Sequence, residues 1–280
     1  MENLPRLSEI GYWSEIKLEI IKEYAKVYSI ILSRQHYLKH IYIDAFAGAG
    51  IHISKTSKEI VAGSPLNALY VEPPFKELHL IDLDGKKAHF LAELTKDFLN
   101  VFVYQGDCNK ILLEEIFPKV RYEDYRRGLC LLDPYGLHLN WEVLKKAGEM
   151  KSLDIFLNFP TMDMNRTALL KNPNSVEKEY IERMTTFWGD ESWREASYSN
   201  SPQGNLFGEE KKDKLSNQAI AESFRDRLKN VAGFKFVPEP IPMRNSTGAT
   251  LYYLFFASNN EKGDKIARYI LKKYKDKELR

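Results

Sequence analysis

Apolar residues at Ile16, Ile20, Tyr24, Val27 and Ile31 step by four, four, three and four, which sets them on one face of a helix over Tyr12–Leu32. The period then changes. His40-Ile41-Tyr42-Ile43-Asp44 is a short run rich in β-branched and aromatic residues, as expected of a buried strand. A glycine-rich turn follows, then a polar loop to about Gly63. Ser64-Pro65 reads as a helix start, with Ser as N-cap and Pro at the first helical position. Beyond it, strand and helix patterns alternate. Glu77–Asp82 reads as a strand, and Ala88, Leu91, Leu94 and Phe98 mark a helix. Val101–Tyr104 is a strand, and Asn109 is expected to cap a helix running to Phe117. Gly128–Leu132 is a strand, Trp141–Ala147 a helix and Leu153–Leu157 a fifth strand. Repeated strand-then-helix units imply an α/β fold with a parallel sheet and helices on both faces.

The rhythm breaks between about Thr161 and Ser216, a polar stretch holding Asn172-Pro173 and Ser201-Pro202. It predicts a helical insertion after the fifth strand, with a mobile loop over Ser197–Lys214. Trp188 and Trp193 need burial, so its centre is expected to be folded. A helix over Gln218–Val231 resumes the pattern. Phe234–Val237 and Leu251–Ser258 are expected to pair as an antiparallel hairpin, and a basic helix over Lys262–Glu278 follows. The chain thus divides into a helical segment (1–39), an α/β core (40–160), an inserted subdomain (161–216) and a return to the core (217–280).

Composition narrows the classes. Lys plus Arg number 41 against 39 for Asp plus Glu, a net charge of +2, which excludes a protein that coats a polyanion. Residues 261–280 alone carry eight Lys/Arg and four Asp/Glu, so the positive charge is concentrated there. No run of 18 apolar residues and no basic-then-apolar leader pattern occurs, so a membrane span is not expected and the compartment is read as cytoplasmic. Cys108 and Cys130 are the two cysteines; with no C-x-x-C they read as small buried hydrophobes, not as a disulfide framework or a metal site. The six histidines show no convincing ligand spacing, and no metal is expected.

The candidate chemistry lies at strand ends. Asp44-Ala45-Phe46-Ala47-Gly48-Ala49-Gly50 directly follows the first predicted strand, where Gly48 and Gly50 let backbone N–H groups approach a ligand. It lacks the G-K-[ST] of a phosphate loop and the third glycine of a dinucleotide fingerprint. Asp82, at the end of the next strand, is a carboxylate able to accept both hydroxyls of a ribose. Asp107 follows the third strand, where an acceptor for an adenine amino group is expected. The fourth strand leads into Asp133-Pro134-Tyr135-Gly136, and the fifth into Asn158-Phe159-Pro160, which lines a substrate side or ends the strand. Lys17, Lys22, Arg126 and Arg127 read first as surface charge and second as phosphate contacts.

This ordered set resembles the class I S-adenosylmethionine (SAM) methyltransferases. The resemblance implies a Rossmann-like fold whose mostly parallel sheet is closed by an antiparallel hairpin. It implies SAM as cofactor, met by Asp44, Phe46, Gly48, Gly50, Asp82 and Asp107. Asp133-Pro134-Tyr135-Gly136 is similar to the D-P-P-Y/F motif of amino-group methyltransferases, which implies Asp133, Pro134 and Tyr135 as catalytic residues. In that motif the acidic side chain accepts hydrogen bonds from an exocyclic amine while the ring stacks on the base. Here Tyr135 stands at the second proline and Gly136 at the aromatic position, so the ring comes one residue early.

Tyr42–Gly50, Gly63-Ser64-Pro65-Leu66 and Arg126-Arg127-Gly128-Leu129 also resemble the J-type 23S rRNA adenine-N6 methyltransferases. Over its whole length the chain looks most like the three-Cys-motif partner proteins, through Asp44–Gly50, Asp133–Gly136, Leu157–Pro160 and Phe187-Trp188-Gly189-Asp190. These resemblances imply methyl transfer to an amino nitrogen, foremost adenine N6 or another base amine in RNA or DNA, with Asn158 and Arg127 on the substrate side. The alternative is a catalytically weak or inert partner that keeps a SAM pocket and docks to a radical-SAM-like three-Cys-motif protein. Methylation of a protein or a small molecule is a further alternative.

Overall fold

The computed structural model describes residues 5–200, 212–245 and 247–278. Its first elements are a short strand β1 (Glu9–Ile10), helix α1 (Tyr12–Ser33) and strand β2 (Lys39–Asp44). β3 (Ile51–Ser54), β4 (Ile60–Ala62) and α2 (Ser64–Leu69) follow the glycine turn. Next come β5 (Glu77–Asp82), α3 (Gly85–Leu94), β6 (Val101–Gln105) and α4 (Cys108–Ile111), which runs on as a π turn and a 3-10 turn to Lys119. β7 (Arg126–Leu132), α5 (Trp141–Met150) and β8 (Leu153–Phe159) complete the strand-then-helix units. The insertion contributes α6 (Thr161–Thr167), α7 (Lys178–Trp188), α8 (Trp193–Ser197), β9 (Tyr198–Asn200) and β10 (Lys212–Lys214). α9 (Asn217–Asn230), β11 (Ile241–Arg244), β12 (Thr250–Ala257) and α10 (Glu261–Glu278) return to the core.

Among the described residues, seven strands form the central sheet in the order β11-β12-β8-β7-β2-β5-β6. β6, β5, β2, β7 and β8 run parallel; β12 pairs antiparallel with β8, and β11 antiparallel with β12, so that β12 alone runs against the others. Alternate side chains feed two cores. Ile41, Ile43, Cys130, Leu132, Ile155, Leu157 and Phe255 face α4, α5, α7 and α9. Tyr42, Leu129, Leu131, Phe156, Leu254 and Phe256 face α1, α2, α3 and α10. Both sides are apolar because a sheet covered on both faces has no solvent side to leave polar. This is the expected α/β sheet with helices on both faces and a helical insertion after the fifth parallel strand.

The insertion has no separate core. Met184, Phe187, Trp188 and Trp193 join the cluster built on Phe159, Phe224 and Phe255. Both indoles are buried with their N–H groups satisfied, Trp188 donating to Ser192 Oγ and Trp193 to Thr185 Oγ1, each at 3.0 Å. β9 and β10 pair antiparallel at the two ends of the stretch expected as a loop over Ser197–Lys214, and its residues 201–211 lie outside the described residues.

Several local expectations are corrected. Phe234–Val237 is not a strand: Phe236 makes a single bridge to Ser258, and Pro238 and Pro240, lacking N–H donors, cannot extend it. The hairpin partner is β11 instead, and as an edge strand it tolerates Pro242. The loop to Gly63 contains β3 and β4, and β1 pairs parallel with β3 to make a small second sheet. Gly63, not Ser64, is the N-cap of α2, which moves Pro65 to the second helical position. Asp107, not Asn109, caps α4 by accepting from the Asn109 N–H at 3.0 Å. The α3 helix ends at Leu94, short of Phe98.

Candidate active site

The carboxyl ends of the five parallel strands bring most of the singled-out residues to one edge of the sheet, the position where open α/β folds bind ligands. Gly48 has φ +64° and Gly50 φ +78°, a conformation that a side chain disfavours. A Cβ at Gly50 would also stand 2.8 Å from Leu91 Cδ1, so this turn packs directly on α3. Asp82 holds the turn from the next strand: its carboxylate accepts from Gly48 N–H and Asp84 N–H, both at 2.8 Å. Asp44 is fully buried and accepts from Phe46 N–H and the Tyr42 hydroxyl at 3.2 Å. Burial lifts its pKa to about 6 against hydrogen bonds from Ser64 and Phe46 that lower it. Asp44 thus shapes the turn from beneath, while Asp82 lies at its side.

Beside this turn is a cavity of about 460 Å³, walled by Phe46, Leu83, Asp107, Cys108 and Leu137. Asp107 Oδ1 is committed to the backbone and side-chain amides of Asn109. Asp107 Oδ2 has no protein donor among the described residues, so it can accept from a ligand. The Asn109 side chain also binds the His138 carbonyl and the Asn140 N–H, tying the turn after β6 to the loop after β7. α7 covers the cavity from the insertion, with Arg183 bonded to Glu179 at 2.6 Å and His138 at 3.0 Å. Sequence pattern singles out neither Arg183 nor Asn109 as a ligand contact: Asn109 reads there as a helix cap, and Arg183 lies in the insertion, away from the strand-end motifs.

The loop after β7 carries the most unusual arrangement. Asp133 Oδ1 accepts from Asn158 Nδ2 at 2.7 Å, and Asp133 Oδ2 accepts from the Lys17 ammonium. The structure therefore joins Asp133 and Asn158, from the ends of adjacent strands, and adds Lys17 from α1. Lys17 is 7% exposed and lies 5.3 Å from the Tyr252 ring centroid. Burial pulls its pKa down, but Asp133 beside it, with Tyr252 and Asp44, outweighs this and holds the ammonium above its usual range. Asn158 Oδ1 is buried with no partner among the described residues, an acceptor that a ligand's N–H would satisfy. Pro134 is buried, whereas Tyr135 is 87% exposed and turns away from any stack with its neighbours. His52, on β3, lies close to this group; burial and the Lys17 charge hold its imidazole below its usual pKa, against Asp133.

Arg127 is not part of this cluster. It stands at the beginning of β7, six residues before Asp133 and so roughly 20 Å away along the strand. The two cysteines are buried thiols, and no group of His, Cys, Asp or Glu among the described residues could hold a metal ion. Burial raises the Cys108 pKa to about 12 and lifts that of Cys130 well above its ordinary value. No helix among the described residues is long and apolar enough to cross a membrane.

No protein-family model and no curated protein matches the chain. Solved structures do. A Legionella pneumophila protein described by the family model DUF519 is similar over 92% of this chain and 91% of its own, with a TM-score of 0.53 at 12% identity. Trm1 from Pyrococcus horikoshii, solved with S-adenosyl-L-methionine, is similar over 90% of this chain and 57% of its own, with a TM-score of 0.43 at 11% identity. A SAM-dependent methyltransferase from Clostridium acetobutylicum is similar over 85% of this chain and 91% of its own, with a TM-score of 0.40 at 12% identity. Sheet order and strand direction give the chain the Rossmann-like fold of class I methyltransferases.

Proposed function

We propose that the chain is a SAM-dependent methyltransferase acting on an amino nitrogen, foremost adenine N6 or another base amine of RNA or DNA. The observation that carries this reading is the Asp133–Asn158 pair with its unsatisfied Asn158 Oδ1, at the same strand-end edge of the sheet as the glycine turn and a cavity of about 460 Å³. That volume falls in the usual range for a cofactor site. On this reading Asp82 meets the ribose, Asp107 Oδ2 the adenine amine, Phe46 the adenine face, and Gly48 and Gly50 the methionine end.

Bound SAM supplies a methyl group on a sulfonium leaving group. The chain's own contribution is orientation. Asn158 Oδ1 and the Asp133 carboxylate accept the two N–H bonds of the acceptor amine, which turns its lone pair toward the methyl. The Lys17 ammonium balances the Asp133 charge at a site that the first helix covers. A base in a duplex has to be flipped out to reach these groups.

A second reading is favoured by one observation: both Asp133 oxygens already have protein donors, and Tyr135 lies in solvent. On that reading the pocket is retained without catalysis, and the chain docks to a radical-SAM-like three-Cys-motif protein. The cytoplasm is the proposed compartment for either.

Calorimetry with SAM and S-adenosylhomocysteine on the wild type and on Asp82→Ala tests both. Binding weakened by Asp82→Ala is expected, and its absence in the wild type overturns both readings. Labelled-methyl transfer to RNA, DNA and protein then separates them: Asp133→Ala abolishes transfer while SAM still binds. Transfer that survives Asp133→Ala removes the amino-acceptor mechanism. SAM binding without transfer to any acceptor favours the docking protein.

A further inference from the structure

A second cavity, of about 490 Å³, opens at the other end of the sheet, between α1, the beginnings of β7 and β8, and α10. It lies roughly 20 Å from Asp133 along β7, and nothing in the methyl-transfer reading uses it. Its rim holds Tyr37, Tyr122 and Tyr125, which are 64%, 50% and 56% exposed. Three large aromatic rings gathered in solvent are not explained by core packing. Tyr37 and Tyr125 meet edge to face at 5.5 Å, and the Arg127 guanidinium lies 3.6 Å from the centroid of the Tyr122 ring. Arg127 gives only Nη1 to the protein, to the carbonyls of Tyr122 and Arg126. Among the described residues it has no carboxylate partner, whereas neighbouring Arg126 is paired with Glu77.

The floor is built differently. Tyr28 is buried there, and its hydroxyl has no hydrogen-bond partner among the described residues. Asp154 is 6% exposed, fixed by the Tyr24 and Ser258 hydroxyls. Gly263 of α10 crosses directly over it: a Cβ there would stand 3.0 Å from Asp154 Oδ2 and 2.9 Å from the Tyr24 hydroxyl. The cavity therefore combines aromatic faces, acceptors at its base and a guanidinium with two unused donor nitrogens at its mouth. Lys262 adds a second cation, and the opposing Glu123 at the rim is exposed and screened by solvent.

We propose that this cavity binds a nucleotide unit, with the base stacked among the tyrosines and the phosphate held by Arg127 and Lys262. Aromatic stacking with arginine at the phosphate is the arrangement by which proteins take single nucleotides without reading their sequence. The amino edge of the base meets the acceptors at the floor. A free mononucleotide and the phosphorylated end of a single strand offer the same chemistry, and both are tested.

The experiment is calorimetry on the full chain with AMP, CMP and a 5′-phosphorylated pentanucleotide, with the thermal midpoint of each variant checked first. Saturable binding is expected, weakened roughly tenfold by Arg127→Gln and by Tyr122→Ala. Tyr122→Phe retains the stack and restores binding. Saturating S-adenosylhomocysteine, directed to the cavity beside the glycine turn, leaves the binding of CMP and of the pentanucleotide unchanged. Tighter binding of the pentanucleotide assigns the site to a strand end, and equal or weaker binding assigns it to a free nucleotide. The proposal is overturned if none of the three ligands binds saturably. It is equally overturned if S-adenosylhomocysteine displaces the bound nucleotides and Arg127→Gln does not weaken their binding.

Discussion

Lys17 sits on a helical stripe that is otherwise apolar, in register with Ile21, Ala25 and Tyr28, all buried. A cation on such a stripe is a sequence signal for a buried partner, since an unpaired ammonium costs several kcal/mol to desolvate. The strand-end carboxylates Asp44, Asp82, Asp107 and Asp133 were legible because the hydrophobic period stops just before each of them. The identity of Lys17's partner was not, because 116 residues separate the two and no local pattern spans that distance. Asp154 was missed for the opposite reason: it opens a strand, where a carboxylate is expected to be solvated. Burial, against hydrogen bonds from Ser258 and Tyr24, lifts its pKa from 3.8 to about 6. Between those values the folded state holds more protons than the unfolded one, so stability from this group is present below about pH 4 and lost as pH rises through 6. Two pH units correspond to about 3 kcal/mol. Urea titrations at pH 4, 5, 6 and 7 are expected to show a clearly shallower fall in stability for Asp154→Asn than for the wild type. Equal slopes would show that the carboxyl is not protonated in the fold.

At the scale of elements, the parallel strands and their helices followed from periodicity, with ends shifted by a few residues. What escaped were pairings of short segments. β1, β3 and β4 are two to four residues long, too short for any period, and become strands by finding one another. Likewise, β11 could not be told from Phe234–Val237 by composition; two prolines decide between them. Helix contacts also carry information in what they exclude. α5 passes the chain after α9 at Gly148, where a Cβ would stand 1.9 Å from the Ala232 carbonyl oxygen. That oxygen belongs to backbone and cannot swing aside. Gly148→Ala is expected to destabilise the protein by about 2–3 kcal/mol despite alanine's better helix propensity. A thermal midpoint equal to the wild type's would mean that α5 and α9 separate more easily than their packing indicates.

For the molecule as a whole, the insertion is continuous with the core on one face of the sheet, so the two are expected to unfold together. In a Trp13→Phe/Trp141→Phe background, Trp188 and Trp193 report from the insertion, and backbone circular dichroism reports from all elements. Coincident denaturant midpoints for the two signals are expected, and an earlier fluorescence transition would define the insertion as a separate folding unit. The sheet also has two ends with different furnishings: glycine turns and carboxylates at one, tyrosines and cations at the other. Between them, along the same β7 whose Asp133 and Arg127 mark those ends, lies Cys130, with Cys108 also buried near the first end. Thiols so placed are shielded from water and have raised pKa values, so they are poor nucleophiles. A colorimetric thiol count is expected to read none in the native protein and two after denaturation. A single cysteine introduced at exposed Tyr135 would then take a maleimide dye alone, and a spectroscopic reporter could be placed at the Asp133 loop without first removing either native sulfur.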